Sequence, residues 1–131
     1  MSSRRPPGPV EAALRDRRDA GGKCLVAYAT GGLGEDWLDT VRAIAAAGAD
    51  AIEIGVPFSD PVMDGPTIQA ANDRALEGGA TPVGILDALR GADVGAPLAV
   101  MTYYNIVHRM GLKRFATTLV DSGVSGCILP D

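Results

Sequence analysis

Ala51-Ile-Glu-Ile-Gly-Val-Pro-Phe-Ser-Asp-Pro-Val-Met-Asp-Gly-Pro-Thr-Ile-Gln69 begins as a strand and breaks into a loop punctuated by Pro57, Pro61, Gly65 and Pro66. Strand alternation sends Glu53 to the face opposite Ile52 and Ile54. A carboxylate on a buried strand needs a partner, a substrate or a proton to offset its desolvation. Burial also raises its proton affinity, which suits a general acid or base near neutral pH. The alternative is a structural carboxylate satisfied by backbone or by a basic group. The apolar flanks and the loop that follows favour the functional reading.

Outward from this segment the chain repeats one unit. Before it, Cys24 to Ala29 is an apolar run of strand length, broken by Gly31-Gly-Leu-Gly34. Glu35 and Asp36 then place negative charge at the start of a helix that carries Trp37, Val41, Ile44 and Ala45 on one face and stops at Gly48. After the segment, Pro66 opens a helix ending at Gly78-Gly79, and Thr81 caps another that uses Ile85, Leu86 and Leu89. Leu98 to Thr102 reads as a third strand, with Tyr103-Tyr104-Asn105 as a polar aromatic loop before a helix carrying Leu112, Phe115 and Leu119. Gly126 to Leu129 reads as a fourth strand. Residues 1–9 are expected to form a mobile tail, and Val10 to Asp19 a short charged helix.

Strands that are apolar throughout and separated by helices imply a parallel α/β array covered on both faces. The working face of such an array is the carboxyl end of its strands. Thr30 to Gly34, Pro57 to Asp64, Tyr103 to His108 and Asp131 all follow strands, whereas the turns entering strands carry small or turn-forming residues.

Within the long loop, Ser59, Asp60 and Asp64 offer three oxygens, but Asp-Pro and Asp-Gly are also turn dipeptides. No further acidic or histidine ligand stands near, so no metal site is assigned. The glycines at 31, 32 and 34 lack G-x-G-x-x-G spacing and read as a tight turn. His108 is the sole histidine, and without a G-x-S-x-G elbow it marks no nucleophile system. Tyr28, Tyr103 and Tyr104 either wall a flat aromatic ligand or pack in the core.

The 131 residues have the length of one domain, and 47% hydrophobic content supplies a core. A formal charge of −4 argues against nucleic acid or an anionic membrane as the main partner. No apolar run approaches the about 20 residues of a membrane span, and the start lacks a signal-peptide core, so a cytoplasmic location is expected. Cys24 and Cys127, in apolar surroundings without C-x-x-C spacing, are expected to be buried reduced thiols.

Residues 52–69 closely resemble the loop signature of the tryptophan synthase alpha subunit family, L-E-L/I-G-x-P-F-S-D-P-x-x-D-G-P-x-I-Q. Met101-Thr-Tyr-Tyr-Asn105 and Ile128-Leu-Pro-Asp131 resemble the ends of that family's third and fourth strands, and the likeness runs from about residue 10 to 131. The resemblance implies a (β/α)₈ TIM barrel and retro-aldol cleavage of indole-3-glycerol phosphate to indole and glyceraldehyde 3-phosphate. It implies catalytic roles for Glu53 and Asp64, and an indole pocket lined by Tyr28, Ile68 and Tyr103. It also implies that Asp60, Pro61 and Asn105 face a beta subunit that carries pyridoxal phosphate in an alpha2beta2 tetramer, with no cofactor in this chain. Gly32-Leu-Gly34 departs from the family's common G-D-P.

A barrel of this type needs about 250 residues. Residues 10–131 are therefore expected to form its N-terminal half, ending after strand four, with two sheet edges open and no turnover by this chain alone. A non-catalytic half-barrel that binds the beta subunit is the competing function. The specificity of the signature disfavours a different phosphate-sugar barrel enzyme.

Overall fold

The computed structural model describes residues 5–131. Helix α1 is Pro9–Asp19, one residue longer than expected because Pro9 fits a first turn where its missing N–H goes unused. The expected tail falls partly outside the described residues, and residues 5–8 form neither helix nor strand. There follow β1 (Val26–Thr30), α2 (Trp37–Ala46), β2 (Ala51–Gly55), α3 (Pro66–Glu77), α4 (Pro82–Leu89), β3 (Leu98–Met101), α5 (Tyr104–Met110), α6 (Leu112–Asp121) and β4 (Val124–Ile128).

The strands form one sheet in the order β1-β2-β3-β4, every neighbouring pair parallel. Parallel neighbours require crossover connections, which the helices supply. Register gives the sheet two distinct faces. Ala27, Ile52 and Leu98 align across one face, as do Ala29, Ile54 and Val100. This face belongs to a core with Val41, Ile85, Leu86, Leu89, Val107 and Phe115. Ile52, Ile54 and Val100 are completely enclosed, and each such side chain contributes about 1.5–3 kcal/mol. The other face carries Tyr28, Glu53, Ala99 and Gly126 in register.

The two outermost strands are open, as expected of half a closed array. Leu25 just before β1 and Val26 at its start are 57% and 46% exposed, and Ile128 at the end of β4 and Leu129 just after it 43% and 44%. Unpaired edges bearing apolar side chains are pairing surfaces.

Four local expectations need correction. Both cysteines are exposed. Cys24 precedes β1 on the sheet margin, where its thiol donates to the Leu14 carbonyl at 3.3 Å, and Cys127 sits on the outermost strand β4. The stretch after β3 is helical from Tyr104, not a loop, because the Asp131 carboxylate accepts from the Tyr104 N–H at 2.9 Å and satisfies the first turn of α5. Gly111, at φ +95°, then separates α5 from α6 in a conformation that glycine tolerates. Leu112 begins α6 exposed, while Phe115 and Leu119 are buried. Strand β4 starts at Val124, two residues early, because a register shift against Leu98 and Ala99 accommodates Ser125 as an extra residue.

Candidate active site

Glu53 stands in the middle of β2, between Tyr28 of β1 and Ala99 of β3. Ile52 and Ile54 point into the helix-covered core, so alternation alone puts the carboxyl on the other face. The side chain is half-buried, and its proton affinity is raised, first by burial and then by the negative charge of Asp64. Neither a hydrogen bond nor a basic group compensates this among the described residues.

Asp64 approaches the same region from the loop between β2 and α3. Its Oδ2 accepts a hydrogen bond from the Tyr103 hydroxyl at 3.0 Å, and the same hydroxyl accepts from the Met63 N–H at 3.1 Å. Tyr103 is only 1% exposed, and the ring of Phe58 stacks on it at 5.2 Å between centroids. Burial, followed by the bond to Asp64, raises the proton affinity of the phenol, so the hydroxyl stays a donor. From α3, the Gln69 amide donates to the carbonyls of Asp64 at 2.8 Å and Pro61 at 3.3 Å. Inside the loop, Val62 N–H donates to Asp60 O at 2.8 Å and Asp64 N–H to Pro61 O at 3.0 Å. The loop is a set of tight turns bonded to two neighbouring elements.

Tyr28 lies over Gly55, where an added methyl would overlap the tyrosine hydroxyl. That hydroxyl is enclosed near Thr30 without forming a hydrogen bond, and burial raises its proton affinity. Across from it, Ala99 and Gly126 leave the face beside Glu53 low, as room for a flat ligand requires. Ile68 is half-buried in the first turn of α3. Asp60 and Asn105 are exposed, whereas Pro61 is buried. Ser59 donates to Asp60 Oδ2 at 3.1 Å, and no cluster of three or more His, Cys, Asp or Glu side chains suited to a metal occurs among the described residues. His108 is exposed on α5 against the Tyr104 ring.

The sequence reading assigns no role to Gln69, Phe58 or Asp131, although Phe58 and Gln69 stand in the opening segment and Asp131 follows a strand. A cleft of about 740 Å³ opens at the opposite, amino end of the strands, lined by Leu14, Arg18, Cys24 and Ser125 among others. It touches neither Glu53 nor Asp64.

A family model described as tryptophan synthase alpha chain matches residues 14–131. The chain belongs to the tryptophan synthase alpha chain family. A tryptophan synthase alpha chain of Nitratidesulfovibrio vulgaris is 46% identical over 126 residues, covering 93% of this chain and 49% of its own length. One from Streptomyces coelicolor is 42% identical over 122 residues, covering 90% and 45% respectively. Among solved structures, ligand-free tryptophan synthase from M. tuberculosis matches with a TM-score of 0.88 at 36% identity, over 95% of this chain and 52% of that one. The tryptophan synthase alpha subunit of Legionella pneumophila matches with a TM-score of 0.81 at 30% identity, over 96% and 50%. The chain spans about half the length of the curated relatives it matches. Its four parallel strands thus correspond to half of the alpha chain's (β/α)₈ TIM barrel. No helix among the described residues is long and apolar enough to cross a membrane.

Proposed function

We propose that the protein made from the complete reading frame containing these residues cleaves indole-3-glycerol phosphate to indole and glyceraldehyde 3-phosphate, as a lyase of tryptophan biosynthesis in the cytoplasm. The observation that carries this reading is the pair of unequal carboxyls, one on the open face of β2 and one in the loop that follows it. Glu53 has a raised proton affinity and no compensating partner, while Asp64 has one oxygen engaged by Tyr103.

Glu53 delivers its proton to C3 of the indole ring, and positive charge develops at the ring nitrogen. Asp64 accepts a hydrogen bond from that N–H and stabilises the charge. Loss of the proton from the adjacent side-chain hydroxyl then forms the aldehyde carbonyl. The electrons of the breaking carbon–carbon bond restore the indole double bond and neutralise the nitrogen. Glu53, ionised after the first step, is the base suited to take that proton. One half-buried acid and one hydrogen-bonded carboxylate divide these roles by environment. Tyr28 and Ile68 wall the indole ring. Among the described residues no basic group acts on Glu53, so the phosphate would be held by groups outside this site.

The released indole has its natural consumer in a beta subunit bearing pyridoxal phosphate, within an alpha2beta2 assembly. On this chain the exposed Asp60 and Asn105 would meet that subunit directly, with buried Pro61 shaping the turn behind Asp60. This chain's part needs no cofactor. Domain organisation follows the same reading, with residues 10–131 as the N-terminal half of the barrel.

The test is indole release from indole-3-glycerol phosphate by the protein from the complete reading frame. Turnover that depends on Glu53 supports the proposal. A folded protein that binds a beta subunit without turnover would instead establish the non-catalytic module.

A further inference from the structure

We propose that Tyr103 and Gln69 are positioning residues for Asp64, clamping residues 60–65 from two sides so that carboxylate oxygen Oδ1 stays open for the substrate. The inference rests on the acid–base reading of Glu53 and Asp64 and assigns Tyr103 a task other than walling the pocket. Its hydroxyl has one donor and accepts through its lone pairs. The proton is given to Asp64 Oδ2, and a lone pair takes the Met63 N–H. The phenol is therefore engaged twice within the loop, across 39 and 40 residues of sequence, before any ligand arrives. Burial to 1% exposure and the stacked Phe58 ring fix its direction.

Gln69 works on the backbone of the same turn. Its two amide protons match the two carbonyls it meets, Asp64 and Pro61, and the Pro61 carbonyl also takes the Asp64 N–H. Tyr103 thus sets the Asp64 carboxylate, and Gln69 sets the peptide that bears it. Among the described residues no donor meets Oδ1. A carboxylate held by one oxygen presents the other in a fixed direction, and a misplacement of about 1 Å in a reacting group costs about a hundredfold in rate.

Three variants of the complete-reading-frame protein test this, with two separate readouts. In Tyr103→Phe the ring and its stack remain and only the hydroxyl is lost. The Met63 amide is expected to exchange its hydrogen at least about tenfold faster, with β2 amides unchanged. In steady-state assays kcat is expected to fall about tenfold to a hundredfold while KM stays within about threefold, and Gln69→Leu is expected to show the same split. In an Asp64→Ala background, Tyr103→Phe is expected to cost less than about twofold more, because its effect runs through Asp64. Unchanged exchange at Met63, a rise in KM alone, or an undiminished loss in the Asp64→Ala background would each overturn the clamp. Absence of indole release by the unaltered protein would overturn the reaction instead, while the exchange measurement still decides whether the clamp exists.

Discussion

Two loops leave the carboxyl ends of adjacent strands, and they are built differently. The turn after β1, Gly31 to Asp36, is held by backbone alone: Gly31 N–H donates to Gly55 O at 2.8 Å and Leu33 N–H reaches Thr30 O at 3.4 Å. Its shape comes from Gly32 and Gly34 at positive φ. The loop after β2, Pro57 to Gly65, is bonded to side chains from β3's end and from α3. A turn that only reverses the chain needs conformational freedom. A turn that presents a carboxylate needs partners on other elements.

The widest separation between the two loops is expected from removing the presented group. Asp64→Ala should lower kcat by about a hundredfold to a thousandfold in the complete protein, whereas Gly34→Ala should leave turnover dependent on Asp64 as before. A comparable loss in both variants, read from steady-state indole release, would erase the distinction.

Gly55→Ala sharpens it at the shared floor. The new methyl meets the Tyr28 hydroxyl, and either the ring or the strand must move. Activity is expected to fall about tenfold or more, with a loss of stability of about 1–3 kcal/mol as for other overpacked sites. Chemical denaturation and turnover together check this, and an unaffected variant would mean that Tyr28 does not define that wall. Gly34→Ala is expected to cost about 1 kcal/mol of stability, from strain at φ +83°. Unfolding at the wild-type midpoint would contradict it.

The smallest effect concerns the cost of holding Glu53. Its proton affinity is raised in the folded protein, so between the ordinary glutamate value of 4.5 and the folded value the native state binds more protons than the unfolded one. Stability therefore falls as pH rises through that window, and ionised Glu53 is a net burden above it. Glu53→Gln should melt at a higher temperature than the unaltered protein at pH 7, with the difference vanishing below about pH 4. A variant less stable at pH 7 would mean that the carboxylate has a partner.

Much of this was legible in the sequence because it is local. The apolar runs of β2 and β3 are central strands, and alternation placed Glu53 correctly between Ile52 and Ile54. What failed depends on the tertiary fold. Tyr104 joins a helix because Asp131, 27 residues away, satisfies its N–H. The start of β4 is masked by Ser125, an extra residue at a register shift. The cysteines sit in apolar runs, but on the margins of the sheet, where apolar sequence does not ensure burial. At the site, Glu53 stood out as a candidate from its flanks and Asp64 only through the family resemblance, whereas the clamp joins groups 39 and 5 residues apart that no periodicity relates.

The most direct test of the acid–base pair is indole release from indole-3-glycerol phosphate by the complete protein and by its Glu53→Gln variant, with circular dichroism verifying the fold of each. Release by the unaltered protein and a loss of about a thousandfold or more in a folded variant is the result expected. Turnover retained by folded Glu53→Gln would contradict the assignment.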